Sequence, residues 1–396
     1  MSSLEKHERL SQEKASFWYD PKWRNILFQG LALTFVLSMA FLIISVTREN
    51  LERQNIASGF GFMNSEAGFE ISETLIEYWA DDTYRKALWV GLLNTVKIAV
   101  LGNLLAILLG LLIGISRLSS NWLVAKCSQT YIEVVRNVPL LLQLLFWYSV
   151  FTEIFPAVKD AYQPLPNVFI SQRGFFLPIF ANHPTWSWVR FAFYIGLVFS
   201  FICHFILKLK REKTGKIIAL WPFLLSFLFG MPFLAWLMGG APLELDVPVL
   251  GGFNFSGGLT FTPEYIALLL GLVLYTAAFN AEIVRAAIGS VPKGQWEAGR
   301  ALGLSKAQNL RLVIIPQSLR VMIPPMTSQI LNLIKNSSLA VGIGYPDFVS
   351  VANTTMNQTG QAIEGVLLIM LCYLFFSLGT SLLMNLYNRM ISIRER

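Results

Sequence analysis

GQWEAGRALGLSK, residues 294–306, is a short polar, charged stretch between two apolar regions of a strongly apolar chain. Pro292, just before it, suits a first helical turn, where its missing N–H costs nothing. A short helix through Gln295, Glu297 and Leu302 is expected to follow. Gly303 suits the left-handed position just past the end of such a helix. Ser305 with Gln308 three residues later is the capping-box pattern of a second helix. That helix is expected to run to about Val313, with Pro316 marking the start of the next apolar span. The segment therefore reads as helix, sharp Gly turn, helix. Ala298 and Gly303 carry little side-chain bulk, which lets another surface approach closely. On the residues alone, an ordinary cytoplasmic hairpin is the lesser alternative.

The surroundings place this loop at a membrane. The chain has 396 residues, 54% hydrophobic and 14% charged, whereas a soluble domain carries roughly one quarter charged residues. A spanning helix needs about 20 apolar residues. Eight stretches qualify: roughly 26–46, 88–115, 127–152, 189–208, 218–238, 264–287, 314–336 and 363–388. The first is too long for an ordinary signal core, and no small-x-small cleavage site follows it. It reads as an uncleaved anchor. With the N-terminus inside, the cytoplasmic segments carry nineteen Lys and Arg and the outer segments six. This obeys the positive-inside rule and makes both termini and residues 294–306 cytoplasmic. It also accounts for the net charge of +7 without nucleic acid. The run KLKREKTGK, 208–216, is a topology anchor by its place between spans. The outer segments 47–87 and 153–188 are too long for tight connections. No internal repeat of the inverted-transporter kind is evident.

The chain offers little chemistry of its own. Gly215-Lys216 is followed by Ile217, with Lys210 where the first glycine of a phosphate-binding loop should stand. It is therefore not a nucleotide loop. His7, His183 and His204 are far apart, and Cys127, Cys203 and Cys372 lack metal-ligand spacing. Neither a metal nor a disulfide framework is expected. The intramembrane charges carry more information. Each costs about 2.5–3.5 kcal/mol on insertion scales, so such residues face a cavity or a partner. Glu133 and Arg136 lie three apart on one helical face, with Gln143 seven residues beyond. Pro139 between them weakens the helix and frees a carbonyl. Glu282 and Arg285 form a second such pair, and Lys335 is an isolated charge late in its span. Two readings fit. The pairs could neutralise themselves near the cytoplasmic ends, with Lys335 at the outer interface. Alternatively they line a polar pathway with Thr276 and Asn280, which suits a solute bearing one carboxylate and one ammonium. Gly110 and Gly114 form a small-xxx-small pair that reads as helix packing.

Glu297-Ala298-Gly299, three residues, Gly303, then nine residues to Val313-Ile314-Ile315-Pro316 resembles the EAA signature of ABC-importer permeases. The family pattern is E-A-A, three residues, G, nine residues, I-x-L-P. This sequence departs at Gly299, Val313 and Ile315 and keeps the spacing. Two further blocks add to the likeness. One runs from Asn94-Thr95 through Arg117-Leu118-Ser119 and continues to Tyr131–Gln143 (YIEVVRNVPLLLQ), and the other is Tyr275 to Arg285 (YTAAFNAEIVR) with Lys335-Asn336-Ser337-Ser338-Leu339. Together they are similar to the polar amino-acid permeases of the histidine/glutamine type, and the eight-span layout to those of general L-amino-acid importers. The likeness is strongest over residues 88–152 and 262–340.

The resemblance implies an all-α polytopic membrane protein with about eight spans. A type I ABC-importer permease core would carry an extra N-terminal helix and an inserted helix pair. The implied division is 1–87, then core helices 88–152, an insert 153–262, and core helices 263–396 with the coupling loop 289–313. It implies ATPase coupling through Glu297, Ala298, Gly299, Gly303 and Leu304. It also implies a cytoplasmic ATPase dimer holding ATP and magnesium, a second permease subunit and a periplasmic amino-acid-binding protein. No cofactor is implied on this chain. The expected location is the bacterial inner membrane, in contact with lipid. An ion-coupled secondary transporter would explain the intramembrane charges but not the spacing of the loop.

Overall fold

The computed structural model describes residues 21–53, 58–214 and 221–391. The N-terminal segment to residue 20, the end of the 208–216 basic run and the last five residues lie outside it. The described chain begins with helix α1 (Pro21–Arg53). An outer segment follows, and then α2 (Tyr84–Ser116), capped by Thr83, whose hydroxyl accepts from Lys86 N. After it come α3 (Trp122–Asn137) and α4 (Leu140–Ser149), the latter prolonged by a π turn at Val150–Ile154. The insert holds strands β1 (Tyr162–Leu165), β2 (Val168–Ser171), β3 (Gly174–Leu177) and β4 (Ile179–Phe180). It continues with α5 (Thr185–Thr214), α6 (Trp221–Leu225) and α7 (Met231–Met238). Strands β5 (Leu245–Asp246), β6 (Val249–Gly251), β7 (Asn254–Ser256) and β8 (Leu259–Phe261) complete it. Then come α8 (Pro263–Gly289), α9 (Lys293–Ala301), α10 (Lys306–Asn309) and α11 (Ile315–Asn336). The last elements are α12 (Phe348–Thr359) and α13 (Ala362–Ile391).

The chain is mostly helical, as expected. Among the described residues, six helices are long and apolar enough to cross a membrane: Trp23–Thr47, Tyr84–Ser116, Thr185–Leu207, Trp221–Met238, Pro263–Gly289 and Ala362–Leu386. The expected span 127–152 is instead the α3–α4 pair, bent by 103° and able to count as a seventh. The cause is Pro139, which has no N–H for the carbonyl of Val135 four residues back. Gln143 repairs the break: its Nε2 donates to Val135 O at 2.8 Å and to Val138 O at 2.9 Å. The expected span 314–336 is largely α11, but Gln317, Ser318, Arg320, Pro324 and Pro325 make it more polar than the others.

Helices α2 and α8 form the centre, because small residues let their backbones meet. A Cβ on Gly114 would stand 2.7 Å from Ala281 O and from Val284 Cβ, and one on Gly110 would collide with Asn280. This is the small-xxx-small packing read from the sequence. Gly114→Leu is therefore expected to push the two helices apart. Overpacking typically costs about 1–3 kcal/mol, so a lower unfolding temperature in detergent would report it.

The insert is only partly helical. Strands β1-β2-β3-β8 form one antiparallel sheet. Phe175 of β3 registers with Phe261 of β8, and its ring meets Phe151 edge-on at 5.8 Å. The sheet thus roofs the start of α8, where Leu144, Leu268, Leu272 and Tyr345 form the main buried cluster. A second cluster, Phe62, Tyr78, Tyr84 and Phe348, ties the outer segment before α2 to α12. A third, Val284, Ile288, Ile314 and Met322, lies towards the other end of α8.

Candidate functional site

The 294–306 loop has the predicted form with two refinements. Pro292 stands just outside α9 as its N-cap. The second helix continues through a π turn, Leu310–Ile314, straight into α11. Gly303 has φ +75°. Leu304 N donates to Gly299 O at 3.1 Å and Gly303 N to Arg300 O at 2.9 Å. These two bonds are a Schellman close, which requires a left-handed residue at Gly303. Ser305 and Gln308 make both capping-box bonds, at 3.0 and 3.3 Å.

The loop is bolted to the body from one side. Trp296 packs on the third buried cluster. Asn309, fully buried, donates from Nδ2 to Trp296 O at 3.0 Å. Gln317 Nε2 donates to Gln295 Oε1 at 3.0 Å. Gly299 is buried because the Asn309 amide fills the place of a Cβ. That contact explains why glycine stands where the family pattern has alanine. The opposite side is bare: Glu297 and Ala298 are exposed, and Leu302 is 80% exposed. The turn thus holds an apolar side chain out on the surface. Leu304 is half-buried.

A second constellation lies where α2, α3, α8 and α11 approach. Glu282 is its hub. Its carboxylate accepts from Arg285 Nη2 at 2.6 Å and Nε at 3.1 Å, and from Arg117 Nη1. Arg136 does not pair with Glu133, which takes a bond from Gln129 at 2.7 Å. Its guanidinium instead stacks 4.9 Å from the Phe279 ring, within electrostatic reach of Glu282. A cavity of about 460 Å³ opens here, lined among others by Arg136, Phe279, Glu282, Ser328 and Gln329. Of the residues singled out for a pathway, the structure brings together Arg136, Glu282 and Arg285. Gln143 serves the helix break. Asn280 is buried against α2, donating to Ala106 O at 3.2 Å, and Thr276 is buried. Lys335 is exposed near the far end of α11. Arg117, which belongs to the first block of family likeness but not to the pathway candidates, lies about one turn beyond Gly114 and meets Glu282 of α8.

A third polar group ties the segment before α2 to the start of α8. Glu73 receives Thr262 N and Oγ1 at 3.2 Å each and pairs with Lys97 at 3.2 Å. Asn94 Nδ2 donates to Glu73 O at 2.8 Å and to Pro346 O at 2.9 Å. Next to it, Asp347 caps α12 by accepting from Ser350 N at 2.8 Å. Burial pushes its carboxyl up to about 7. Its folded value lies above the unfolded one, near 4. The folded protein therefore binds the extra proton between those values, and stability falls as pH rises from about 4 to 7. Asp347→Asn is expected to remove that slope, up to about 1.4 kcal/mol per pH unit, in thermal unfolding across that range.

Comparison with known proteins agrees with this layout. Residues 106–393 match the family described as "Binding-protein-dependent transport system inner membrane component". The chain is 45% identical over 395 residues to the putative amino-acid ABC transporter permease protein YhdX of Escherichia coli (strain K12), covering 98% of this chain and 100% of that one. It is 43% identical over 386 residues to the general L-amino acid transport system permease protein AapQ of Rhizobium johnstonii, covering 96% and 95%. Against the glutamate/glutamine/aspartate/asparagine transport system permease protein BztB of Rhodobacter capsulatus, identity is 39% over 411 residues, with 96% of each chain covered. With relatives along almost its whole length and a match that takes in the helix–Gly turn–helix loop, the chain belongs to the inner-membrane permease components of binding-protein-dependent ABC importers, whose ATPase is a separate subunit.

Proposed function

We infer that this permease carries amino acids across the inner membrane, driven by ATP that a cytoplasmic ATPase dimer binds with magnesium. The observation that carries the reading is the rigid 294–306 loop, fixed on one face and presenting Glu297, Ala298 and Leu302 on the other. Such a loop transmits a push rather than absorbing it. In this reading Gly299 and Gly303 set its shape, and Leu304 anchors the turn. Residues 88–152 and 263–396 form the moving core, and residues 1–87 and 153–262 are additions to it. Both termini face the cytoplasm, in line with the charge bias between loops. The relatives' names support amino acids as substrates, and the mixed charges about Glu282 suit a zwitterion.

The mechanism proposed is alternating access. A loaded periplasmic binding protein docks on the outer face. ATP closes the ATPase dimer against the loops of this chain and of a second, sister permease. Because Trp296 and Asn309 lock the loop to α8 and α11, its displacement moves those helices as one. The pathway between the two permeases then opens outward, and hydrolysis resets it. The test is uptake of labelled amino acids in cells lacking the native system and expressing the full set of subunits. ATP depletion with the membrane potential maintained is expected to stop uptake. Uptake that survives ATP depletion and follows the potential would instead mean a secondary transporter.

A further inference from the structure

We propose that Arg136 is the carboxylate receptor of the membrane cavity, and that this cavity accepts zwitterionic and anionic amino acids while excluding those with cationic side chains. The proposal rests on the amino-acid reading above and deepens it.

Three guanidinium groups, Arg117, Arg136 and Arg285, surround one carboxylate, Glu282. Three positive charges against one negative leave a formal surplus of two. Glu282 is already engaged by Arg285 and Arg117. Arg136 is different: among the described residues it makes no ion pair, and its guanidinium carbon lies over the Phe279 ring, 4.9 Å from the ring centre. Among the described residues its N–H groups make no hydrogen bond, which leaves the guanidinium fork at the cavity edge available. That fork matches a carboxylate with two parallel bonds. The cavity it borders, about 460 Å³, falls within the usual range of small-molecule sites, about 300–1,000 Å³.

The other end of an amino acid also finds a partner. Val321 lines the same cavity. Its carbonyl would take its helical bond from residue 325, which is a proline and has no N–H. The residue before it, Pro324, has none either. An uncharged carbonyl without its helical donor can accept an ammonium group. Ser328 and Gln329 are left to meet the side chain. A lysine or arginine side chain would bring a second cation into a region of surplus positive charge at low dielectric, where like charges repel strongly.

The test is equilibrium binding of labelled glutamate, glutamine and lysine to the purified complex of both permeases and the ATPase in lipid nanodiscs, without binding protein. Uptake is measured on the same preparation in proteoliposomes with binding protein and ATP. Wild type is expected to bind glutamate and glutamine at least about tenfold more tightly than lysine, and R136Q is expected to weaken glutamate about tenfold, close to 1.4 kcal/mol. R136K keeps the charge without the fork and should fall between them. If R136Q reduces the yield of complex, R136K and F279L decide the matter by the glutamate-to-lysine ratio, which does not depend on yield. Equal binding of lysine and glutamate by wild type, an unchanged ratio in the variants, or no binding at millimolar ligand would overturn the proposal. Wild-type uptake alongside any of those results leaves the importer reading standing. Absence of amino-acid uptake by wild type would sink both.

Discussion

Gly303→Val is expected to leave the chain inserted in the membrane while uptake falls by tenfold or more and hydrolysis runs uncoupled from it. Gly303 has φ +75°, and left-handed backbone costs an L-residue about 1–2 kcal/mol, most for a β-branched one. Nothing stands near its missing Cβ, so the strain is purely conformational. The chain can relieve it by giving up the bonds from Gly303 N and Leu304 N that close α9. Leu302 and Glu297 would then lose their fixed position relative to α11. A graded series separates this cause from bulk. Asn tolerates the left-handed region and should retain most uptake, Ala less, Val least. Equal activity in all three would mean that the turn's geometry is not what the ATPase engages.

Glu282→Gln is expected to be the most damaging single change within the membrane, with uptake reduced tenfold or more and less complex recovered. Glutamine keeps the shape but leaves Arg117, Arg136 and Arg285 without their common counter-charge. Removing one partner of a buried pair costs about 3–5 kcal/mol. The side chains here are only partly covered, at 22–36% exposure, so the lower part of that range applies. The diagnostic result is the double variant. Glu282→Gln with Arg117→Gln removes one charge of each sign and should recover part of the loss. Additive losses from the two changes would show that Arg117 and Glu282 act independently.

What the sequence made legible follows from distance along the chain. The 294–306 loop is specified by neighbours: a capping box three residues apart and one glycine at the place that needs positive φ. Gly110 and Gly114 marked a close helix contact in the sequence, but that α8 is the partner came only with the structure. The Glu282 cluster was only half readable, because Arg117 meets it from 165 positions away. Glu133 and Arg136 share a helical face, yet each finds a better partner, Gln129 and the Phe279 ring. Gln143 has the spacing of a pathway residue, but it stands four after Pro139, where it can reach the carbonyl that the proline leaves bare. The strands of the insert were missed because they are two to four residues long. Their aromatic residues, such as Phe169, Phe175 and Phe176, are hard to tell from the aromatic flanks of membrane spans.

The most direct test of coupling through residues 294–306 is binding-protein-stimulated ATP hydrolysis by the complex purified from native membranes in mild detergent. This chain is expected to bring with it an ATPase and a second permease. Loaded binding protein should raise hydrolysis, and Leu302→Asp, which places a charge where the exposed apolar side chain stood, should release the ATPase or abolish the stimulation. A monodisperse chain without ATPase, taken from membranes that still show uptake, would contradict the reading. So would a Leu302→Asp complex that hydrolyses and transports as the wild type does.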